Sequence, residues 1–235
     1  MRKTSSTEIL SAAFFAASVL RCSGSPEANA ASSGAGDSGC DRFDPKCPRF
    51  ATGVRDHRFG SGPTYGQGSG EFPKRVLGPP RGGGLVAGSL DVTTLGQGGS
   101  IVVEFGGSAI VDGPGADFIV FENPFSPSGK PNDVFAEPAA VAVSDDGAAW
   151  KELPCTAKAP PYDGCAGTHP VYANFDTNDI DPFDPAVAGG DPFDLADFGV
   201  PSARFVRITD RADLGGSLDC CFDLDAVSIV NVRCP

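Results

Sequence analysis

The residues of this 235-residue chain best suited to chemistry are carboxylates at the ends of short apolar segments. If the segment 117–122 is a β-strand, every second residue shares a face, and Glu122 then lies on the same face as Phe118 and Val120. In the segment 222–230, Asp223 and Asp225 likewise share a face with Val227 and Ile229. A buried carboxylate needs a metal, an arginine or backbone donors, and hard oxygen ligands in irregular loops suit calcium. The predicted ligands of a structural calcium ion are Asp117, Glu122, Asp223 and Asp225.

The same carboxylates have a second interpretation, which needs no metal. Arg204 or Arg207, on another predicted strand, forms a bidentate salt bridge with Asp223 or Asp225 in that case. A further acidic region, 176–197, contains Asp-Pro-Phe-Asp twice, but its spacing does not match an EF-hand loop. Asx turns in a solvated loop are the simpler explanation of that region.

Two loops, 123–135 and 156–175, carry aromatic rings next to amide, imidazole and carboxylate groups. This combination suits sugar recognition, because a ring stacks on the apolar face of a sugar while polar groups bind its hydroxyls. The same side chains are also typical of ordinary loop anchors. The predicted ligand-binding residues are Phe125, Asn132, Tyr162, His169, Tyr172 and Asn174.

Nucleophilic catalysis has little support in the sequence. The two histidines, His57 and His169, have no neighbouring Ser-Gly motif, and an acidic chain contains carboxylate pairs by chance. We therefore expect no enzymatic activity, with a divergent hydrolase as the alternative. The formal net charge of −12 argues against nucleic acid and anionic membranes as partners, because both require basic patches.

The N-terminus has the pattern of an export signal, in which a basic start precedes an apolar run from Ile9 to Leu20. Cleavage after Ala30 implies a secreted or cell-surface protein, and lipid attachment at Cys22 is the alternative. The predicted parts of the chain are a signal peptide at 1–30, a disordered tether at 31–49, and a single β-sandwich domain at 50–235 with its core at about 75–231.

Eight cysteines without a CxxC pair, in an exported chain, predict disulfides rather than zinc sites. Pairing between cysteines close in sequence is the simplest arrangement, and it leaves one member of the adjacent Cys220-Cys221 pair over. The predicted disulfides are Cys40 with Cys47, Cys155 with Cys165, and Cys220 or Cys221 with Cys234.

The elements that must position these groups are short strands rich in β-branched and aromatic residues. A turn at Asp146-Gly147 predicts a hairpin. Its first strand is predicted to be half-buried, with Val141 and Val143 alternating with Ala142, and Trp150 is predicted to be the buried anchor of its second strand. Irregular structure is predicted over 50–80 and a helical turn near 192–198. The predicted strands are 100–105, 117–122, 139–143, 203–209 and 222–230.

Many short strands with long loops and almost no helical periodicity predict an all-β fold, an antiparallel β-sandwich or jelly roll. Three motifs occur in order, at 141–150 (VAVSDDGAAW), 203–208 (ARFVRI) and 222–230 (FDLDAVSIV). The set resembles the galactose-binding-like jelly roll of discoidin and coagulation-factor C domains. With the segments 112–123, 135–137 and 190–196, it resembles more closely a group of bacterial exported cell-surface proteins of poorly defined function. The chain departs from the discoidin pattern because no cysteine pair bridging the two ends of the domain is evident.

The resemblance implies a domain stabilised by structural calcium. Together with the loop residues, it leads us to expect an exported cell-surface binding or adhesion module whose partner is an extracellular glycan or surface polymer. The alternative is a structural surface protein without a small ligand. The sequence does not define an oligomeric state.

Overall fold

Short runs of buried β-branched and aromatic residues recur along the chain, and most form strands of antiparallel sheets. A computed structural model describes residues 44–131, 133–211, 213–214 and 221–235. The elements are β1 (Gly53–Arg58), a 3₁₀ turn (Lys74–Val76), β2 (Thr93–Thr94), β3 (Ser100–Glu104), β4 (Ala109–Val111), β5 (Phe118–Phe121), β6 (Ala139–Ser144), β7 (Lys151–Glu152), β8 (Cys165–Ala166), β9 (Asp191–Phe193), α1 (Leu195–Phe198), β10 (Ser202–Ala203), β11 (Phe205–Asp210), β12 (Asp223–Leu224), β13 (Ala226–Ile229) and β14 (Val232–Arg233).

The largest sheet has six strands in the order β1-β3-β11-β6-β7, with β8 also paired to β6. A second sheet has the order β13-β5-β9, and smaller sheets consist of β10-β4-β14 and β12-β2. Side chains from the first two sheets share one apolar core, in which Val103 and Ile208 of the largest sheet lie with Phe118 and Ile229 of the second. The predicted all-β antiparallel sandwich is therefore confirmed.

The predicted hairpin is present, although both faces of its first strand are buried. β6 and β7 pair antiparallel, and Gly147 in the connection has φ +76°. Val141 and Val143 belong to the main core, while Ala140, on the opposite face, packs under the loop that follows the hairpin. The prediction of a half-buried strand was wrong, because all six residues of β6 are buried and neither face of the strand meets solvent.

Trp150 does not anchor the core. Its indole is half-buried at the surface, where the Arg207 guanidinium carbon lies 4.6 Å from the ring centroid. The turn is held instead by Asp146, whose Oδ1 accepts the backbone N–H groups of Ala148 and Ala149 at 2.8 Å each. Hydrogen bonds from the backbone to the Asp146 carboxylate therefore hold this reversal.

The segment 50–80 is more regular than predicted, because it contains β1. This strand has the sequence Gly-Val-Arg-Asp-His-Arg and pairs with β3 at the edge of the largest sheet. Its last four residues are exposed. A charged edge strand has little apolar alternation, so its composition resembles that of a loop.

Two disulfides differ in how well the sequence predicts them. Cys155 pairs with Cys165, as predicted, and closes the loop after the hairpin. Cys47 pairs with Cys234, so the predicted Cys40–Cys47 and Cys221–Cys234 pairs were wrong. Cys221 is also disulfide-bonded, to a cysteine other than Cys234. The Cys47–Cys234 bond joins the two ends of the described domain, a pairing that was not predicted from the sequence.

Disulfides of this kind are typical of an oxidising compartment. Within the described ranges, no helix has the length and apolar character needed to cross a membrane. Several predictions lie outside the described residues, namely the signal peptide at 1–30, the tether up to residue 43, Cys22, Cys40, Asn132 and Cys220.

Candidate functional site

A cleft of about 460 Å³ lies at the ends of β2, β5 and β12, and we call it the first cleft. Thr94 of β2 pairs with Asp223 of β12, and Asn123 follows two residues after β5. Strand ends therefore bring these three polar side chains to one place. The cleft is lined by Pro63, Tyr65, Thr94, Asn123, Phe125, Pro127, Phe135, Glu137 and Asp223.

Three carboxylates converge beside this cleft. Glu122 directly follows β5, Asp223 begins β12, and Glu137 precedes β6. One oxygen of each carboxylate lies within 4.8 Å of the others. The backbone N–H of Asp223 donates to Glu122 Oε1 at 3.0 Å, which ties the end of β5 to the start of β12. Two predicted metal ligands, Glu122 and Asp223, thus come together with a third carboxylate.

Glu122 is the most confined member of this group. Its side chain is 1% exposed, and its Oε2 has no hydrogen-bond partner among the described residues. Burial raises the pKa of Glu122 well above its ordinary value, and the charges of Glu137 and Asp223 raise it further. Hard carboxylate oxygens that are buried and crowded in this way are suited to binding a cation.

The Asp223 carboxylate is also largely buried, but it accepts hydrogen bonds from neighbouring side chains. Burial raises its pKa, while hydrogen bonds from the Thr94 hydroxyl and the Asn123 amide oppose that shift. Asn123 is itself held in place, because its Oδ1 accepts the backbone N–H of Ser89. The polar part of the first cleft is therefore built from side chains that fix one another.

Aromatic rings form the apolar part of the first cleft. Phe125 and Phe135 form an isolated antiparallel bridge, and their ring centroids are 6.1 Å apart. Tyr65 is 44% exposed, and its hydroxyl donates to the carbonyl of Leu90 at 2.7 Å. Rings beside carboxylate and amide groups suit a ligand with apolar faces and hydroxyl groups. Phe125 is the predicted ligand-binding residue that lies in this cleft.

A second cleft, of about 380 Å³, shares a wall with the first. Along the segment 134–137, Phe135 and Glu137 line the first cleft while Val134 and Ala136 line the second. The second cleft is otherwise mostly apolar, and its remaining lining residues are Pro131, Pro160, Pro161, Tyr162, Thr168, His169 and Pro170.

The opposite wall of the second cleft is held by the Cys155–Cys165 disulfide. Tyr162 is only 8% exposed and packs in a small apolar cluster with both cysteines and Ala140. The loop therefore has its own core, which continues onto β6. Such a cross-linked loop presents its side chains in a fixed arrangement.

His169 is the polar centre of the second cleft. Its Nδ1 donates to Asp191 Oδ1 at 2.7 Å. Asp191 is 3% exposed and also accepts the backbone N–H groups of Gly167 at 2.7 Å and Thr168 at 3.1 Å. The hydrogen bond with Asp191 raises the pKa of His169, against the opposing effect of burial. Because Nδ1 is engaged, Nε2 is the nitrogen that remains for a ligand.

Asp117, another predicted metal ligand, has a structural role. It is fully buried and lies in a group with Asp112 and Asp194. Its Oδ1 accepts from the Gly113 backbone at 2.9 Å and the Asn231 amide at 2.7 Å, and its Oδ2 accepts from the Leu195 backbone at 2.7 Å. These donors satisfy the hydrogen-bonding capacity of the Asp117 carboxylate without a cation.

Asp225 lies in neither carboxylate group of the described chain. Its two oxygens accept the backbone N–H of Arg81 at 2.8 and 3.2 Å, and burial raises its pKa well above the ordinary value. The alternative prediction, a salt bridge from Arg204 or Arg207 to Asp223 or Asp225, is wrong. Arg204 Nε lies 3.5 Å from Asp145 Oδ1, and Arg207 Nη2 lies 3.6 Å from Glu152 Oε2.

Two other predicted ligand-binding residues lie outside both clefts. Tyr172 is 40% exposed, and its backbone pairs with that of Ala188. Asn174 is an Asx-turn residue, because its Oδ1 accepts from the backbone of Asp176 at 3.0 Å and of Thr177 at 3.1 Å. Asx turns also recur along the acidic region, at Asn178, Asp181, Asp184 and Asp194.

Phe135, Glu137 and Asp191 were not predicted as site residues, although the first two belong to the segment 135–137 that carries part of the family resemblance. The alternation of Val134 and Ala136 with Phe135 and Glu137 is a signal for two differently lined faces, although it is too short to predict a strand. Asp191 opens the second Asp-Pro-Phe-Asp repeat, and nothing in the repeat indicates a contact with His169.

The fold and the clefts define a disulfide-bonded, all-β antiparallel sandwich that carries two adjoining clefts at the ends of its strands. No protein-family model matches the chain, and no curated protein matches it at a significant level. The resemblance to galactose-binding-like domains therefore stays a prediction.

Proposed function

We propose that this chain is an exported cell-surface module that binds a glycan in the first cleft and holds a calcium ion with Glu122, Glu137 and Asp223. The observation that carries the proposal is the buried Oε2 of Glu122, which has no hydrogen-bond partner in the described chain and belongs to a group of three carboxylates beside an aromatic cleft. Binding of this kind involves no reaction, so the proposed module is not an enzyme.

The choice of calcium follows from the donor atoms. All three side chains offer hard oxygens, with neither a histidine nor a cysteine in the group. Calcium prefers such ligands and takes roughly six to eight oxygens, which the carboxylates and water supply together. When bound, the ion would compensate the charge of three crowded carboxylates and link the ends of β5 and β12 to the segment before β6.

Glycan binding is supported by the aromatic and polar groups of the same cleft. Tyr65 and Phe125 offer ring faces to the C–H surface of a sugar, and Asn123 and Thr94 are next to them with polar atoms. The net charge of −12 favours a neutral glycan or surface polymer in this acidic cleft over a polyanion. The disulfides support export, because they form in oxidising compartments.

The calcium part is tested by thermal unfolding of protein stripped with EDTA, with and without added calcium. At a calcium concentration of about 100 times Kd, we expect stabilisation by about 2.7 kcal/mol, which is a Tm increase of roughly 5–10 °C for a domain of this size. Glu137→Gln should abolish the increase, whereas Glu152→Gln, on exposed β7, should keep it. Equal Tm values with EDTA and with calcium in the parent protein would contradict calcium binding.

The glycan part is tested on a glycan array in calcium and in EDTA. We expect Phe125→Ala to weaken binding to any glycan bound by the parent on the order of tenfold, through loss of stacking. Phe175→Ala is the matched control, since Phe175 is 52% exposed and lies in neither cleft. No glycan binding under either condition would favour a structural surface protein. Glycan cleavage that Glu137→Gln abolishes would instead favour a hydrolase.

A further inference from the structure

We infer that the second cleft is a separate binding site for a carboxylated sugar, with His169 as the hydrogen-bond donor to the carboxylate. This inference goes beyond the glycan site of the first cleft and does not depend on it. It rests on the imidazole and its buried partner, on the charge of the lining residues, and on the shape and rigidity of the apolar walls.

The buried carboxylate of Asp191 orients the imidazole. It accepts hydrogen bonds from Nδ1 of His169, from the hydroxyl and backbone of Thr168 and from the backbone of Gly167, so its position is fixed from four directions. A carboxylate behind Nδ1 favours the doubly protonated imidazole. Nε2–H of that imidazolium is then a charged donor at the edge of the cleft, suited to a charge-assisted hydrogen bond with an anion.

The charges around the second cleft differ from those of the first. Of the described residues that line it, the ionisable ones are His169 and Tyr162, and no carboxylate is among them. Asp191 lies behind the imidazole and is nearly closed to solvent. Exposed Lys130, Asp133 and Asp163 are sequence neighbours of lining residues and contribute charge of both signs. In a chain of net charge −12, this is a cleft that an anion can enter without meeting a lining carboxylate.

The rest of the ligand is inferred from the walls. Rings of Pro160, Pro161 and Pro170 face a volume of about 380 Å³, together with Tyr162. Apolar rings pack against the C–H face of a pyranose, and the volume is in the range of small-molecule sites. The wall around Tyr162 is cross-linked by the Cys155–Cys165 disulfide, so little ordering is required when a ligand binds.

The experiment uses NMR of the full chain with its disulfides intact. The probe is methyl β-glucuronide, and methyl β-glucoside and acetate are the matched probes that lack the carboxylate or the sugar ring. Because the chain has only two histidines, the ring signals of His169 are assigned by comparing His169→Gln with His57→Gln. Titrations are made at about pH 5.5 and about pH 8.5, on either side of the ordinary imidazole pKa of about 6.5.

We expect saturable shifts of the His169 ring signals with the glucuronide at the lower pH, and affinity lower by about tenfold or more at the higher pH. His57→Gln should bind as the parent does, and His169→Gln should lose binding while remaining folded, with an unfolding temperature within about 4 °C of the parent's. The inference is overturned if the glucoside or acetate binds as well as the glucuronide, if His169→Gln still binds, or if the glucuronide gives no saturable shift. Glu137→Gln should leave this binding intact, which separates the result from the fate of the first cleft.

Discussion

The two clefts share the segment 134–137 as a wall, but the first is acidic and the second is mostly apolar with a histidine. The first has Glu137 and Asp223 among its lining residues and the buried Glu122 beside them. Among the described residues, no carboxylate lines the second cleft, and the buried carboxylate behind its imidazole, Asp191, accepts from four donors. A buried carboxylate whose two oxygens both receive donors from the fold has a structural role, whereas one with an oxygen that receives none, as Glu122 Oε2 in the described chain, favours the binding of a cation.

The shared wall, residues 134–137, shows how a short segment gives the two clefts different lining groups. Extended backbone turns alternate side chains to opposite sides, so four residues, 134–137, provide aromatic and acidic groups on one side and small apolar groups on the other. Gly167 connects the same wall to the second cleft. Its carbonyl accepts the backbone N–H of Glu137 at 3.2 Å, and its N–H donates to Asp191 at 2.7 Å.

The largest expected effect is therefore from Gly167→Ala, which should damage both clefts together. Gly167 has φ +82°, and a Cβ at this position would lie 2.2 Å from the Glu137 carbonyl oxygen, so the wall has to move. We expect destabilisation of roughly 3 kcal/mol or more in chemical denaturation. Gly115→Ala is the control, because Gly115 has φ +74° with open space around it, and should cost only about 1 kcal/mol. Equal costs for the two variants would show that the wall is not a rigid partition.

A smaller effect should separate two carboxylates that are both about 1% exposed, Glu122 and Asp225. Both oxygens of Asp225 accept the Arg81 backbone N–H, while Glu122 Oε2 has no such partner in the described chain. Glu122→Gln should abolish the calcium-dependent increase in Tm, and Asp225→Asn should keep it. The contrast drawn above would be wrong if the two substitutions changed the calcium response equally.

Asp225→Asn should also remove a pH dependence of stability. Burial raises the folded-state pKa of Asp225, so its contribution to stability is fully present below the unfolded pKa of about 3.9 and is lost as pH rises through the raised value. Asparagine does not ionise, and we therefore expect the variant to be more stable than the parent at neutral pH, by about 1 kcal/mol or 2–4 °C. Differential scanning calorimetry at several pH values measures this.

The smallest effect concerns the His169–Asp191 pair. Because the pKa of His169 is raised in the fold, the pair stabilises the protein fully below about pH 6.5, and this stabilisation is lost as pH rises through the folded-state pKa. The imidazole is 67% exposed, so screening by solvent keeps the contribution below about 1 kcal/mol. We expect the free energy of unfolding, measured by urea denaturation, to fall between about pH 5.5 and about pH 8.5. The decrease should be larger for the parent and for His57→Gln than for His169→Gln. A loss of the same size in all three proteins would assign it to other groups.

Local patterns predicted most of the strands and part of the candidate site. Alternation along β5 identified Glu122 as a buried carboxylate, and the Asp146-Gly147 turn located the hairpin between β6 and β7. Glu137 was not predictable in the same way, because it joins Glu122 and Asp223 only through contacts between segments far apart in sequence. The pairing of β12 with β2, which no local pattern encodes, brings Thr94 to Asp223.

Features at the periphery were the hardest to predict. β1 pairs on one side only and is polar, so its burial does not shape its sequence. His169 and Asp191 are 22 residues apart and meet through the turn at Gly167. The rule of pairing nearby cysteines succeeded for Cys155–Cys165, which closes a loop, and failed for Cys47, because chain ends meet through the whole topology.

The Cys47–Cys234 bond has a mechanical consequence. The two cysteines are 187 residues apart in sequence, yet their Cα atoms lie only 4.8 Å apart. A pulling force applied at Cys47 and at Cys234 passes directly across the covalent bond between the two sulfur atoms. The strands between the two cysteines lie outside this direct path, so force applied at these two points bypasses the clefts as long as the disulfide is intact.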